Sequence, residues 1–243
     1  MKKIIAFSKR NALEIARDPL TIVFGAGLPV VLIYLLSAIQ KNIPASLFEI
    51  TSLMPGVVVF SLSFVTLFSS LLIAKDRQGM LLTRLYTTPM RAGDFVIGYM
   101  LPLLPIGLVQ AAVCVIASVP LGVEISGNLL LMLIVSLPAI LFNVSLGLLF
   151  GSILTDKQVG GVCGALLTNV SAWLSGIWFD VDLVGGAFSK IANALPFIHA
   201  VEAERCALAG DMMGVMNHIW VVLVYAILAL LLAVYLFLRQ MRK

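Results

Sequence analysis

A run of charged and turn-forming residues lies at 75–94, between two long apolar stretches, and begins Lys75-Asp76-Arg77-Gln78-Gly79-Met80-Leu81-Leu82. These residue types suit docking rather than bond breaking. Asp76 near the start of a short helix would favour its dipole. Leu81, Leu82 and Leu85 make one apolar stripe, and Arg77 and Arg84, seven apart, share a neighbouring face. Pro89 disfavours further helix by forcing Thr88 out of the helical region. A basic loop on the cytoplasmic side of a membrane would account for the arginines, but not for the stripe or the Gly and Pro punctuation.

Other groupings with chemical potential are sparse. No G-x-x-x-x-G-K-[ST] phosphate loop, H-E-x-x-H pair or G-x-S-x-G elbow occurs. His199 and His218 are read as packing residues. Cys114, Cys163 and Cys206 are far apart and form neither a disulfide framework nor a metal-ligand set. The acidic residues are read as lying in loops or at the ends of apolar runs, which weakens a proton- or sodium-coupled carrier. Within the runs, Ser63, Thr66, Asn143, Asn169 and Ser171 are candidates for lining a substrate path. The competing reading is that such residues pack helices together.

The elements that must position these residues are membrane helices. Of 243 residues, 61% are hydrophobic and 12% charged, and the mean hydropathy is +1.09. A soluble domain has about 25% charged residues. Apolar runs cover 19–40, 50–74, 95–123, 125–155, 158–179 and 212–238. Each is long enough to cross a bilayer as a helix. With the N-terminus in the cytoplasm, thirteen of the sixteen lysines and arginines fall on that side, and only Lys41, Lys190 and Arg205 fall outside. The positive-inside rule therefore places both termini in the cytoplasm.

Two segments flank this pattern. Residues 1–18 read as an amphipathic helix lying on the membrane, with Lys3, Arg10 and Arg17 on one face and Ile4, Ile5, Ala12, Ile15 and Ala16 elsewhere. Residues 180–211 carry charges and a short apolar stretch, and read as a re-entrant helical segment on the outer face before the last span. The fold class expected is all-α integral membrane: six transmembrane helices and these two additions, in one domain over 1–243.

The loop resembles the ATP-binding-cassette type-2 permease family, through Asp76-Arg77, then Gly79, Leu81, Leu85 and Pro89. It departs in having Met80 where Thr is usual and Leu82-Thr83-Arg84 where a Glu often follows. A second resemblance lies in Leu195-Pro196-Phe197 followed by Arg205, Leu208 and Gly210. The short multidrug, antibiotic-resistance and bacteriocin-immunity permeases are most similar in flavour. The resemblance implies that Asp76, Arg77, Gly79, Leu81, Leu82, Arg84, Leu85 and Pro89 form a helix coupled to a separate ATPase subunit. That partner would carry the ATP and Mg, leaving no cofactor in this chain. It also implies pairing with a second copy or a similar permease, in a prokaryotic plasma membrane. The cargo expected from an uncharged interior is a hydrophobic or amphipathic drug, antibiotic, peptide or lipid moving outward. A membrane-embedded lipid-modifying enzyme and a non-transporting anchor are the alternatives; nucleic acid is not an expected partner.

Overall fold

The structure is a computed structural model and describes residues 2–43, 48–82, 90–179 and 181–241. No strand occurs among them. Helix α1 (Lys2–Arg17) is followed by a helical turn at Pro19–Ile22, a π-helical turn at Val23–Gly27 and α2 (Leu28–Gln40). Next come α3 (Ile50–Gln78) and α4 (Ala92–Ser118). Then α5 (Gly127–Val135) and α6 (Leu137–Ile153) form one rod with a break at Ser136. The break is explained by Pro138, which removes a backbone donor. The chain continues through Asp156–Val159, a π-helical Gly160–Leu167 and α7 (Thr168–Leu174). It ends with α8 (Gly186–Ala194), α9 (Pro196–Ala209) and α10 (Met212–Met241).

Among the described residues, five helical segments are long and apolar enough to cross a membrane: Val23–Gln40, Ile50–Gln78, Gly93–Leu121, Gly127–Ile153 and Met212–Arg239. They coincide with five of the six runs expected from sequence. The remaining run, 158–179, falls on the π-helical stretch and α7.

Helix α3 is the hub. It packs against α2, α4, α6 and α9. From Leu53 to Ala74 it is buried on every face, and only Leu67 and Leu71 in that stretch are partly accessible. Its tightest seam is with α6. A Cβ at Gly147 would overlap Ser69, and one at Gly151 would come within 2.7 Å of the Ile73 side chain. Without those side chains the two backbones approach closely, as membrane helices with small residues four apart do. Hydroxyls complete the seam: Ser70 Oγ donates to the Gly147 carbonyl at 3.2 Å, and Thr66 Oγ1 to the Asn143 carbonyl at 2.9 Å.

Helix α1 docks through a face that only partly overlaps the apolar side named from sequence. Phe7, Asn11 and Ile15, spaced by four, are buried, whereas Ile5 and Leu13 are exposed. The reason is a socket on α4. Phe7 lies edge-on to Phe95 and Tyr99, with centroids 5.9 and 4.9 Å away, over Gly98, whose missing side chain makes the room.

At the other end, α8 and α9 meet at Leu195, held extended (φ −102°, ψ 156°) as the residue before Pro196 must be. Helix α9 ends at Gly210 with φ +78°, a left-handed cap suited to glycine. Asp211 Oδ1 then accepts from the Met213 and Gly214 amides, both at 3.1 Å, and starts α10.

Candidate functional site

The α1 end of the bundle gathers the charged residues that flank the loop. Asp76 sits in the last turn of α3 with 3% of its surface exposed. Both its oxygens are engaged by Arg10 of α1, Nη1 to Oδ2 at 2.5 Å and Nη2 to Oδ1 at 2.7 Å. Tyr99 of α4 donates its hydroxyl to Oδ2 at 2.7 Å. Arg10 also reaches Asn11 Oδ1 at 2.9 Å and pairs with Glu14 one turn on. Asn11, fully buried, donates to the Gly98 carbonyl at 3.2 Å. One carboxylate thus ties three helices. A planar guanidinium suits this role because it meets both carboxylate oxygens at once.

The adjacent Arg77 reaches the other way. Its two terminal nitrogens donate to the Ser152 and Leu154 carbonyls at the end of α6. Those carbonyls belong to the helix terminus, which lacks intrahelical donors and carries the negative end of the dipole. Asp76 and Arg77 together therefore connect α3 to α1, α4 and α6, at the point where the chain leaves the bundle.

The loop begins at Gly79, whose amide closes the helix on the Lys75 carbonyl at 2.8 Å. Met80 follows with φ +60°, an uncommon conformation for a residue with a side chain. This turn carries Leu82 into the chain's own core, where it joins the cluster of Phe7, Phe95 and Tyr99. Leu81 remains partly accessible. Arg84, Leu85 and Pro89 lie outside the described residues. Of the expected coupling residues, Asp76 and Arg77 tie to different helices, Gly79 closes α3, Leu81 is partly accessible and Leu82 is turned inward.

A scan against protein families matches the ABC-2 type transporter model over residues 2–209. The chain belongs to the ABC-2 type transporter family. The matched segment begins with α1, contains the whole Arg10–Asp76–Arg77 arrangement, and ends with α9. Comparison with curated proteins finds no match. As an ABC-2 membrane domain, the chain is a transporter permease subunit, and the family generally partners with an ATP-binding-cassette ATPase.

Within this permease, the polar residues named from sequence divide. Ser63, Thr66, Asn143 and Ser171 are buried. Asn143 Nδ2 donates to the Ala139 carbonyl at 2.9 Å and its Oδ1 accepts from Thr66 at 3.0 Å. Ser63 donates to the Phe60 carbonyl at 2.6 Å. Asn169 alone of the five is exposed, and donates to the Ala165 carbonyl at 2.7 Å.

Several residues of the ABC-2 permease escape the sequence reading. Spacing puts Arg10 in a cationic stripe facing lipid or a partner, but it is bound to Asp76. Tyr99 and Asn11 carry no signal, since their partners lie 23 and 87 positions away. Glu204, on α9, is fully buried, and neither carboxyl oxygen has a hydrogen-bond partner among the described residues. The histidines join α9 to α10. His199 Nε2 is 2.9 Å from the Asn193 carbonyl, so it donates there, and its Nδ1 accepts from His218 Nδ1 at 2.9 Å. Among the described residues no group of three His, Cys, Asp or Glu converges as a metal site.

Proposed function

We propose that this ABC-2 permease is the membrane-spanning half of an ATP-driven exporter whose hydrolysis occurs on a separate ATPase subunit. The carrying observation is the pair of ties from Asp76 and Arg77 to α1, α4 and α6. A push on the loop at 75–94 would be delivered to four helices rather than absorbed by one. Transmission of that kind requires an element that moves as a unit between discrete arrangements.

The reading extends to topology and cargo. The helical run through 156–174 is taken as the sixth crossing, with both termini in the cytoplasm of a prokaryotic cell and α8–α9 re-entrant on the outer side. Thr155 supports a helix start there: its hydroxyl accepts from Gln158 N at 3.4 Å, while Gln158 Oε1 accepts from Thr155 N at 3.0 Å, a reciprocal cap. Two copies would pair, with ATP and Mg held by the ATPases. Asn169 is the polar residue suited to a path between copies, Thr66 and Asn143 join two helices, and Ser63 and Ser171 are buried within the chain. The long uncharged stretches of the spans support a hydrophobic or amphipathic cargo such as a drug, antibiotic, peptide or lipid.

The test is co-purification with the partner ATPase. Leu81→Asp combined with Leu85→Asp should insert normally into the membrane but lose the ATPase or its transport output. Normal co-purification and transport by that double variant would remove the loop from the coupling role.

A further inference from the structure

Three adjoining cavities form a trough-like series from the charged end of α1 to the side of the bundle. Its polar end is a cleft of 570 Å³ whose charged lining is Arg10, Glu14, Arg17, Asp18 and Lys75. A narrow neck of 60 Å³ shares Glu14, Asp18 and Lys75 with that cleft and adds Ile15, Thr21 and Phe68. Ile15 and Thr21 also line the third part, a groove of 550 Å³ walled by Ala16, Ala26, Pro105 and Val109. The three spaces adjoin through shared lining residues, and their walls grade from charged to apolar.

The groove is a product of the sequence. Ala12, Ala16, Gly25 and Ala26 are small, and Pro102 and Pro105 present compact rings on the opposite wall. The π-helical turn at Val23–Gly27 widens the first span at this level. Polar groups inside are engaged within the chain: Thr21 donates to Asp18 Oδ2 at 2.9 Å, and Gln110 Nε2 to the Ser61 carbonyl at 2.6 Å. The groove therefore offers an occupant no free side-chain donor.

The cleft has the opposite character. Arg10 is bound to Asp76 and Glu14, and Asp18 accepts from Thr21. Among the described residues, the side chains of Arg17 and Lys75 are left without an ion pair or hydrogen bond. The five charges of the lining sum to +1, which one phosphodiester neutralises. An inorganic anion would leave the groove empty, and an uncharged hydrocarbon would leave the two cations unpaired. An anionic amphiphile satisfies both ends.

We propose that this trough is a binding site for one anionic glycerophospholipid of the leaflet at the α1 side, with its phosphate between Arg17 and Lys75 and one acyl chain in the Ala26–Val109 groove. The lipid would brace α1 against the first span and α4, beside the Arg10–Asp76 pair. The site requires only that the chain is embedded in a bilayer, so it stands apart from the export reading.

The experiment uses the full chain purified in mild detergent, with native mass spectrometry counting adducts after titration with phosphatidylglycerol or phosphatidylcholine. Two basic side chains near an anionic headgroup should favour phosphatidylglycerol roughly 30-fold, each contributing about fivefold. Arg17→Gln with Lys75→Gln should erase that preference. Val109 is 62% exposed, so Val109→Trp can fill the groove without disturbing the core, and should abolish the retained adduct while circular dichroism stays unchanged. Equal binding of the two lipids by the unaltered chain, adducts of detergent alone, or wild-type preference in either variant would each overturn the proposal.

Discussion

Arg10 holds both carboxylate oxygens of Asp76, at 2.5 and 2.7 Å, across sixty-six positions of sequence. The pair joins the amphipathic N-terminal helix to the end of the central span. Its carboxylate is buried and its guanidinium partly exposed, so the two halves are not equivalent. Removing the cation strands a buried charge, whereas removing the carboxylate leaves a guanidinium that water and Glu14 can still serve.

Arg10→Ala should therefore cost about 3 kcal/mol of stability, and Asp76→Ala less. The double variant should lose less than the sum of the two, because no orphaned carboxylate remains. Thermal unfolding of the purified chain, followed by circular dichroism in one detergent, measures all three.

Gly147→Ala should destabilise by about 1–3 kcal/mol, since overpacking a close helix seam forces the backbones apart. The clashing atoms belong to Ser69. Adding Ser69→Gly to the same chain should recover part of the loss, and the same melting measurement reports it. Equal loss with and without Ser69→Gly would show that α3 and α6 do not meet as described.

Glu204→Leu should leave stability unchanged or raise it by about 1 kcal/mol, because a buried carboxyl without partners carries its full desolvation cost. A large drop in melting temperature would mean that the carboxyl serves a partner this single chain lacks. Co-expression with the second subunit and the ATPase then identifies which.

The main frame is legible in the sequence because lipid imposes a simple rule. A backbone without water must satisfy itself, so long uncharged runs become helices, and five runs do so with ends close to those expected. The loop's location is legible for the same reason, since charge begins where the bilayer ends. Pairing is not. Arg10 has the same spacing from Lys3 and Arg17 whether it faces lipid or Asp76, and periodicity carries no information about a partner sixty-six residues away. Leu82 shows the same limit: its helical spacing with Leu81 and Leu85 suggests an outward stripe, but the left-handed turn at Met80 rotates it into the core. The run at 158–179 is harder for another reason. Its glycines and polar residues reduce its hydropathy, and Gly160–Leu167 winds as a π-helix.

Asn169 and Asn143 should separate in transport assays. Replacing exposed Asn169 with Ala should alter cargo preference while leaving stability unchanged. Asn143→Ala should instead lower stability by about 1–2 kcal/mol, through loss of the buried bonds to Thr66 and Ala139. Transport rates for a panel of cargoes, read beside melting temperatures, distinguish the two.

The most direct test of coupling through the Asp76–Arg77 corner is the ratio of cargo moved to ATP hydrolysed in proteoliposomes containing permease and ATPase. Arg77→Ala cuts the tie to Ser152 and Leu154 and leaves the ATPase sequence unaltered. The expected result is a ratio reduced about tenfold, within the usual range of intersite coupling, with basal hydrolysis and subunit association unchanged. An unchanged ratio in that variant would contradict the account.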